Sequence, residues 1–293
     1  MCKGGAGLRK LLILSGKGGT GKTTVASSFI KLNNAEAFAD CDVDAPNLHL
    51  VMKQKNQPIN RDYIGMGKAE IDNNKCTMCE ICQKNCRFDA IHENNGLYGI
   101  DAYSCEGCGV CEAICPNGAI KLNPAIAGEL RLYLNDHSAF STAQLKMGSG
   151  TSGKLVSEVK KQLFDEKNEA KLAIIDGSPG IGCPVIASIS GVDMVLIVAE
   201  PSLSGISDMN RVLKTAHQFG VKTAVCINKY DISPDNSKKI ETICQEQDIP
   251  LLGKIPFDTN VISMMNVGKS IMDMRTDASL AIKDVYDKAI TYL

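Results

Sequence analysis

Eight of the 13 cysteines in this 293-residue chain fall between Cys76 and Cys115. Cys76, Cys79, Cys82 and Cys86 form C-x2-C-x2-C-x3-C, and Cys105, Cys108, Cys111 and Cys115 repeat that spacing. The runs CTMCEICQKNCRFDAI and CEGCGVCEAICPNGAI align without a gap at an offset of 29 residues, and both close on Ala-Ile. Cysteine makes up about 4% of the chain, below the roughly 8–10% of a disulfide scaffold. The opening Met1 to Lys10 has no apolar signal segment, so a reducing cytoplasmic setting is expected, where clustered thiols serve metal or redox chemistry. Tetrahedral zinc also uses C-x2-C pairs. A third cysteine at the same spacing and a fourth beyond it, twice over, is more than two zinc ions require.

A second constellation binds phosphate. The apolar run Leu11 to Ser15 leads into Gly16-Lys17-Gly18-Gly19-Thr20-Gly21-Lys22-Thr23-Thr24, and Val25 to Leu32 reads as a helix. This completes G-x-x-x-x-G-K-[ST] in its strand-loop-helix context. Glycines let backbone N–H groups curl around a β-phosphate at a helix N-terminus. Lys22 is placed to reach the β/γ-phosphates and the Thr23 hydroxyl to ligate Mg²⁺. A Gly-rich turn is the bland alternative. Gly148 to Lys154 spells G-x-x-x-x-G-K as well, but Leu155 replaces the hydroxyl and no apolar strand precedes it, so it reads as a loop capping the next helix.

The cysteine spacing is that of the bacterial two-cluster ferredoxins, in which three cysteines of a run wrap one 4Fe-4S cluster and the fourth ligates the other. The resemblance implies one cluster on Cys76, Cys79, Cys82 and Cys115, and a second on Cys105, Cys108, Cys111 and Cys86. Arg87 stands where proline usually follows the fourth cysteine, and its charge is expected to raise the potential of the cluster nearby.

Lys17, directly after the first glycine, is not needed to hold phosphate within one subunit, although it also reads as a solvated loop lysine. With it, the loop resembles the deviant Walker A ATPases of the MinD/ParA/Mrp group, to which the nitrogenase iron protein also belongs. The resemblance implies an ATP-dependent homodimer in which Lys17 acts in trans. It also implies that Asp42, in Asp40-Cys41-Asp42-Val43-Asp44, orients the attacking water, that Asp40 lies near Mg²⁺, and that Asp44 can serve either role; the same aspartates also suit a turn with helix caps. Leu172 to Asp176 reads as a Walker B strand whose Asp176 holds Mg²⁺ through water, and Gly177 and Gly180 permit γ-phosphate-dependent movement. Asn228-Lys229-Tyr230-Asp231 matches the guanine-reading N-K-x-D literally, whereas the resemblance sets Asn228 and the Pro256 loop against adenine. ATP is favoured, with GTP as the competitor. Cys183 lies seven residues beyond Asp176, a separation similar to that of a cluster cysteine in the iron protein, so an interface cluster is also considered.

These residues need a frame. Apolar runs at Leu11 to Ser15, Glu36 to Asp40, Leu172 to Asp176, Asp193 to Glu200, Thr223 to Asn228 and Pro250 to Ile255 read as buried parallel strands. Thr151 to Glu166, Ser204 to Phe219 and Asp235 to Glu246 carry apolar residues at helical spacing between them, and Thr276 to Leu293 reads as a core-packing helix without a basic face. The expected architecture is an α/β P-loop NTPase with a mostly parallel sheet, residues 1–67 and 123–293, interrupted by a small α+β bacterial-ferredoxin-like domain at 68–122. Apolar residues make up 44%, enough for a core. With 32 basic and 33 acidic residues, the net charge of -1 gives no footprint for nucleic acid, and no apolar run spans a bilayer. The expected ligands are ATP, Mg²⁺ and two 4Fe-4S clusters, and the partner a redox or cluster-accepting protein. An ATPase coupled to electron transfer is the leading expectation. A cluster scaffold or carrier of the Mrp type, and a MinD/ParA-type positioning switch with structural clusters, are the alternatives.

Overall fold

Strand Arg9–Leu14 is the centre from which the larger unit is built, and it is buried along Leu11, Leu12, Ile13 and Leu14. The computed structural model describes residues 7–167 and 169–293; Cys2, one of the cysteines without assigned chemistry, lies outside them. The chain divides into two compact units. One comprises residues up to Ile59 with Arg131–Ala143 and Gly153–Leu293, the other Asn60–Leu130 with Gln144–Ser152. The second is wider than the 68–122 window because strands Ile59–Ile64, Ile126–Leu134 and Ala139–Leu145, which have no strong apolar period, carry the chain into and out of it.

In the first unit seven strands run in the order Leu251–Ile255, Lys222–Asn228, Met194–Ala199, Arg9–Leu14, Leu172–Asp176, Ala37–Asp40 and Ala139–Leu145. Every pairing among them is parallel. The expected strands are all present within two residues of their ends. A parallel sheet brings all strand C-termini to one edge, where ligands bind in open α/β folds. The register sets Asp176 opposite Ile13 on one side and Asp40 on the other. Two carboxylates therefore stand one strand spacing apart, beside the loop that leaves Leu14.

Helix Lys22–Asn33 packs on the sheet through Val25, Ala26, Phe29 and Ile30, and the C-terminal helix Asp277–Tyr292 covers it. Phe29 meets Tyr286 edge-on with ring centroids 5.1 Å apart, and the Tyr286 hydroxyl donates to Asn33. Ala278, Ile282, Val285 and Ala289, spaced by three and four, are buried, so this helix belongs to the core. Leu280, by contrast, points outward.

The second unit bears out the internal repeat in backbone terms. Helices Ile81–Lys84 and Val110–Ile114 occupy matching places in the two cysteine runs. Each is preceded by a left-handed residue, Glu80 at φ 62° and Gly109 at φ 80°. Strands Lys68–Ile71 and Ile120–Asn123 pair antiparallel, as do Ile91–Asn94 and Leu97–Ile100. A small core of Ala69, Ala90, Cys105 and Ile120 is packed by Cys82, Cys86, Cys111 and Cys115.

Candidate functional site

The loop after Leu14 is shaped by glycines where side chains will not fit. A Cβ on Gly16 would lie 2.3 Å from that of Asp208, on the neighbouring helix Leu203–Gln218. Gly21, at φ 91°, faces the Asn228 amide, 2.2 Å from where a Cβ would stand. The result is a cavity of about 360 Å³ lined by Gly18 to Thr24, Asp42, Asn228 and the Pro256–Phe257 loop. The Thr20 hydroxyl is buried without a hydrogen-bond partner, an orphan that a phosphate oxygen would satisfy.

At the cavity floor Lys22 Nζ lies 2.5 Å from Asp176 Oδ1, and Thr23 Oγ1 donates its one proton to Asp176 Oδ2 at 2.7 Å, with Asn47 Oδ1 as the alternative acceptor at 3.0 Å. Burial works against the Lys22 charge, but the carboxylates of Asp176, Asp40 and Asp42 together outweigh it and hold the ammonium above its ordinary range. Asp40 is fully buried. Its Oδ1 accepts from the Asp42 N–H at 3.0 Å and its Oδ2 from Asn47 and Leu48 at 2.9 Å. Burial, then the neighbouring charge of Asp176, pushes Asp40 up to about 7. Asp40 thus shapes the acidic loop, whereas Asp42 is the carboxylate of that loop that lines the cavity, also raised by burial. Thr23 and Asp176 are hard oxygen donors of the kind Mg²⁺ takes.

Lys17 does not stand free. Its Nζ pairs with Glu200 Oε2 at 2.8 Å and donates to Ser202 Oγ and Ser204 Oγ. Lys229 reaches the same carboxylate at 3.4 Å and donates to the Gly19 carbonyl at 3.0 Å. Together these lysines hold Glu200 below the usual carboxylate range, against the effect of burial. The Asn228 amide donates to the Thr20 carbonyl at 2.7 Å, so it braces the phosphate loop. Asp231 Oδ1 accepts from the Phe257 N–H at 2.7 Å and so fixes the loop carrying Pro256. Glu200 escaped the sequence reading, although an acid just beyond a buried strand is the signal that singled out Asp176.

The eight clustered thiols surround two hollows in the second unit. One is lined by Cys76, Cys79, Cys82 and Cys115, the other by Cys86, Cys105, Cys108 and Cys111. The Ala90 N–H donates to Cys86 Sγ at 3.4 Å and the Ala119 N–H to Cys115 Sγ at 3.3 Å, again 29 residues apart. Among the described residues no three His, Cys, Asp or Glu side chains converge as holders of a single metal ion. Cys41, Cys226 and Cys244 are buried, and that burial pushes their thiols up to about 12, 12 and 11, the behaviour of packing residues. Cys183 is exposed at the start of helix Cys183–Ile189. Among the described residues no helix is long and apolar enough to cross a membrane.

Comparison with known proteins agrees with the nucleotide half of this picture. An uncharacterised protein of Methanocaldococcus jannaschii is 33% identical over 286 residues, covering 96% of each chain. The cytosolic Fe-S cluster assembly factor Nubp1 homolog of Drosophila ananassae is 22% identical, covering 96% of this chain and 81% of its own. The septum site-determining protein MinD of Pyrococcus horikoshii OT3, solved with Mg-ADP, superposes with a TM-score of 0.57 at 19% identity, covering 96% of both chains. The family model for the CobQ/CobB/MinD/ParA nucleotide binding domain matches residues 11–271, from the first buried strand to the short turn at Ile271–Asp273. The chain therefore belongs to the CobQ/CobB/MinD/ParA family of P-loop ATPases.

Proposed function

We propose that this protein hydrolyses ATP and couples a nucleotide-dependent homodimer to electron transfer through two resident 4Fe-4S clusters, towards a redox partner protein. One observation carries the reading: each hollow takes three cysteines from one run and the fourth from the other. That crosswise sharing is what the two-cluster ferredoxin spacing requires, and local zinc fingers do not need it. A zinc ion draws its sulfurs to about 2.3 Å, so its ligands converge on a point, whereas a cubane offers iron at four separate corners. The clusters, when bound, supply one-electron storage. The protein contributes the thiols, the Ala90 and Ala119 N–H groups that temper sulfur charge, and the Arg87 guanidinium.

In the nucleotide unit Gly16, Gly18, Gly19, Thr20, Gly21, Lys22, Thr23 and Thr24 hold the phosphates. Thr23 and Asp176, with Asp40 behind them, hold Mg²⁺, whose charge neutralises the phosphate oxygens. Asp42 orients the water. ATP is preferred to GTP because Lys17 and the acidic segment Asp40 to Asp44 match an ATPase group; Asp231, the residue that would read guanine, has one oxygen engaged by the Phe257 N–H. Lys17 must leave Glu200 to act in trans, so dimerisation competes with an internal ion pair.

A cluster carrier is the second reading, favoured by the likeness to the Nubp1 homolog, which is named as an Fe-S assembly factor. Anaerobic purification followed by iron and sulfide analysis tests both readings. About eight irons and eight sulfides per chain that stay bound when an apo-acceptor is added support electron transfer. Rapid transfer of intact clusters supports the carrier, and zinc without sulfide defeats both.

A further inference from the structure

The glycine-rich stretch Gly148–Lys154 is not part of the nucleotide cavity, yet it occupies a consequential place. The cysteine-bearing unit ends at Ser152, and helix Ser152–Glu166 begins at that same residue. Two contacts along this helix fasten another one, Cys183–Ile189, which starts seven residues after Asp176. The first is at Gly153, where a Cβ would lie 3.0 Å from the Cys183 carbonyl oxygen and 3.2 Å from its carbonyl carbon. A Cβ there would be tighter than ordinary van der Waals contact and would push that backbone back by a few tenths of an ångström, so the glycine lets the two helix starts meet this closely.

The second contact is Lys160, about two turns further on. Its Nζ donates to the carbonyls of Ala187 at 2.9 Å, Ser188 at 2.8 Å and Ser190 at 2.5 Å. These belong to the end of Cys183–Ile189, where carbonyls lack intrahelical partners and the helix dipole favours a cation. Lys160 is only 6% exposed, and all three of its N–H donors are used. A lysine buried this deeply is expensive unless every donor is satisfied, and a methionine would fill the space without that cost. The Lys160 charge also acts on Cys41, between Asp40 and Asp42. Cys41 is tied to the Asp176 segment in turn: its N–H donates to the Asp176 carbonyl at 2.7 Å, and its own carbonyl accepts from Ser178 Oγ at 2.5 Å. The strand residue Ser141 fixes the helix as well, donating to the Val159 carbonyl and accepting from Gln162 Nε2, both at 2.7 Å.

We propose that helix Ser152–Glu166 is a strut that carries nucleotide-dependent movement of the Asp176–Gly180 segment to Gln144–Ser152 of the cysteine-bearing unit, with Lys160 as the positioning residue that makes the two helices move together. The inference rests on ATP binding at Gly16 to Thr24 and not on the clusters. Hydrogen exchange read by mass spectrometry, with and without a non-hydrolysable ATP analogue and Mg²⁺, tests it, and a fluorescent ATP analogue reports binding in parallel. In the wild type the analogue is expected to change exchange at Gln144–Ser152 by about fivefold. Lys160→Met binds the analogue within about threefold of wild type but loses most of that change, Lys160→Arg retains it, and Gly153→Ala loses it without altering any charge. Unchanged exchange at Gln144–Ser152 in a wild type that binds the analogue overturns the strut alone, as does a full response in Lys160→Met. Absence of binding removes the nucleotide reading and the strut with it.

Discussion

Replacing Lys22 by methionine leaves Asp176 as a fully buried carboxylate facing a second one, Asp40, with both side chains 0% exposed. At 2.5 Å the Lys22–Asp176 pair has an attraction of roughly 7 kcal/mol at an effective dielectric of ~20. Most of that is offset by the cost of burying both ions. The loss of one partner is not offset, because among the described residues the Thr23 hydroxyl is then the only donor left on the Asp176 carboxylate. Removing one member of such a pair typically costs about 3–5 kcal/mol. Lys22→Met should destabilise the nucleotide-free protein by that amount, in addition to abolishing phosphate binding. Because the two compact units need not unfold together, the readout is native-state hydrogen exchange at Leu11 to Leu14 in rising urea, without nucleotide or Mg²⁺. The double variant Lys22→Met, Asp176→Asn removes the orphaned charge and should recover about half the loss. A single variant within about 1 kcal/mol of wild type, or a double variant no more stable than the single, would refute the claim that the Lys22–Asp176 pair stabilises this site.

Three further outcomes follow from the same geometry. Asp42→Asn should leave ATP affinity nearly unchanged while lowering the hydrolysis rate about 10²–10⁴-fold, whereas a parallel loss of binding would reassign Asp42 to the phosphates or the metal. Burial lowers Lys160 from 10.5 to about 8, with Cys41 opposing the shift and Lys10 adding to it. Between those values the unfolded chain binds more protons at Lys160, so this residue's contribution to stability should grow with pH from about 8 to about 10.5, by at most about 3 kcal/mol. The raised thiols of Cys41, Cys226 and Cys244 act in the opposite sense, so the contribution is read as the difference in urea midpoint between wild type and Lys160→Met across that window. Finally, Cys115→Ser and Cys79→Ser should remove the same EPR signal and Cys115→Ser and Cys111→Ser different ones; the opposite pattern would mean that each run binds a cluster by itself.

The phosphate loop was legible because its chemistry is local: a buried strand, glycines at fixed offsets and a helix lie in one continuous stretch. The parallel strands were legible for a similar reason, since burial on both faces forces unbroken apolar runs such as Leu172–Asp176. Strands Ile59–Ile64 and Ile126–Leu134 were missed because they are largely exposed or half-buried and mix charged with apolar residues. Helix Cys183–Ile189 is too short for a period to register. At the site, sequence identified residue types better than their partners. Asp40 reads as a metal-side acid, yet both its oxygens accept backbone N–H groups from its own loop. Lys17 reads as a lysine aimed out of the subunit, yet Glu200, 183 positions away, holds it within the protomer. Such pairings depend on which strand ends become neighbours, and local spacing does not encode that.

The central claim is that nucleotide binding and the redox state of two clusters are coupled in one chain. Its most direct test is an EPR-monitored redox titration of anaerobically purified protein, with and without Mg-ATP. The account predicts two one-electron transitions, at least one of which moves with nucleotide by ~60 mV for each tenfold difference in ATP affinity between redox states. Two transitions whose potentials are identical with and without ATP, in a protein shown to bind it, would contradict the coupling.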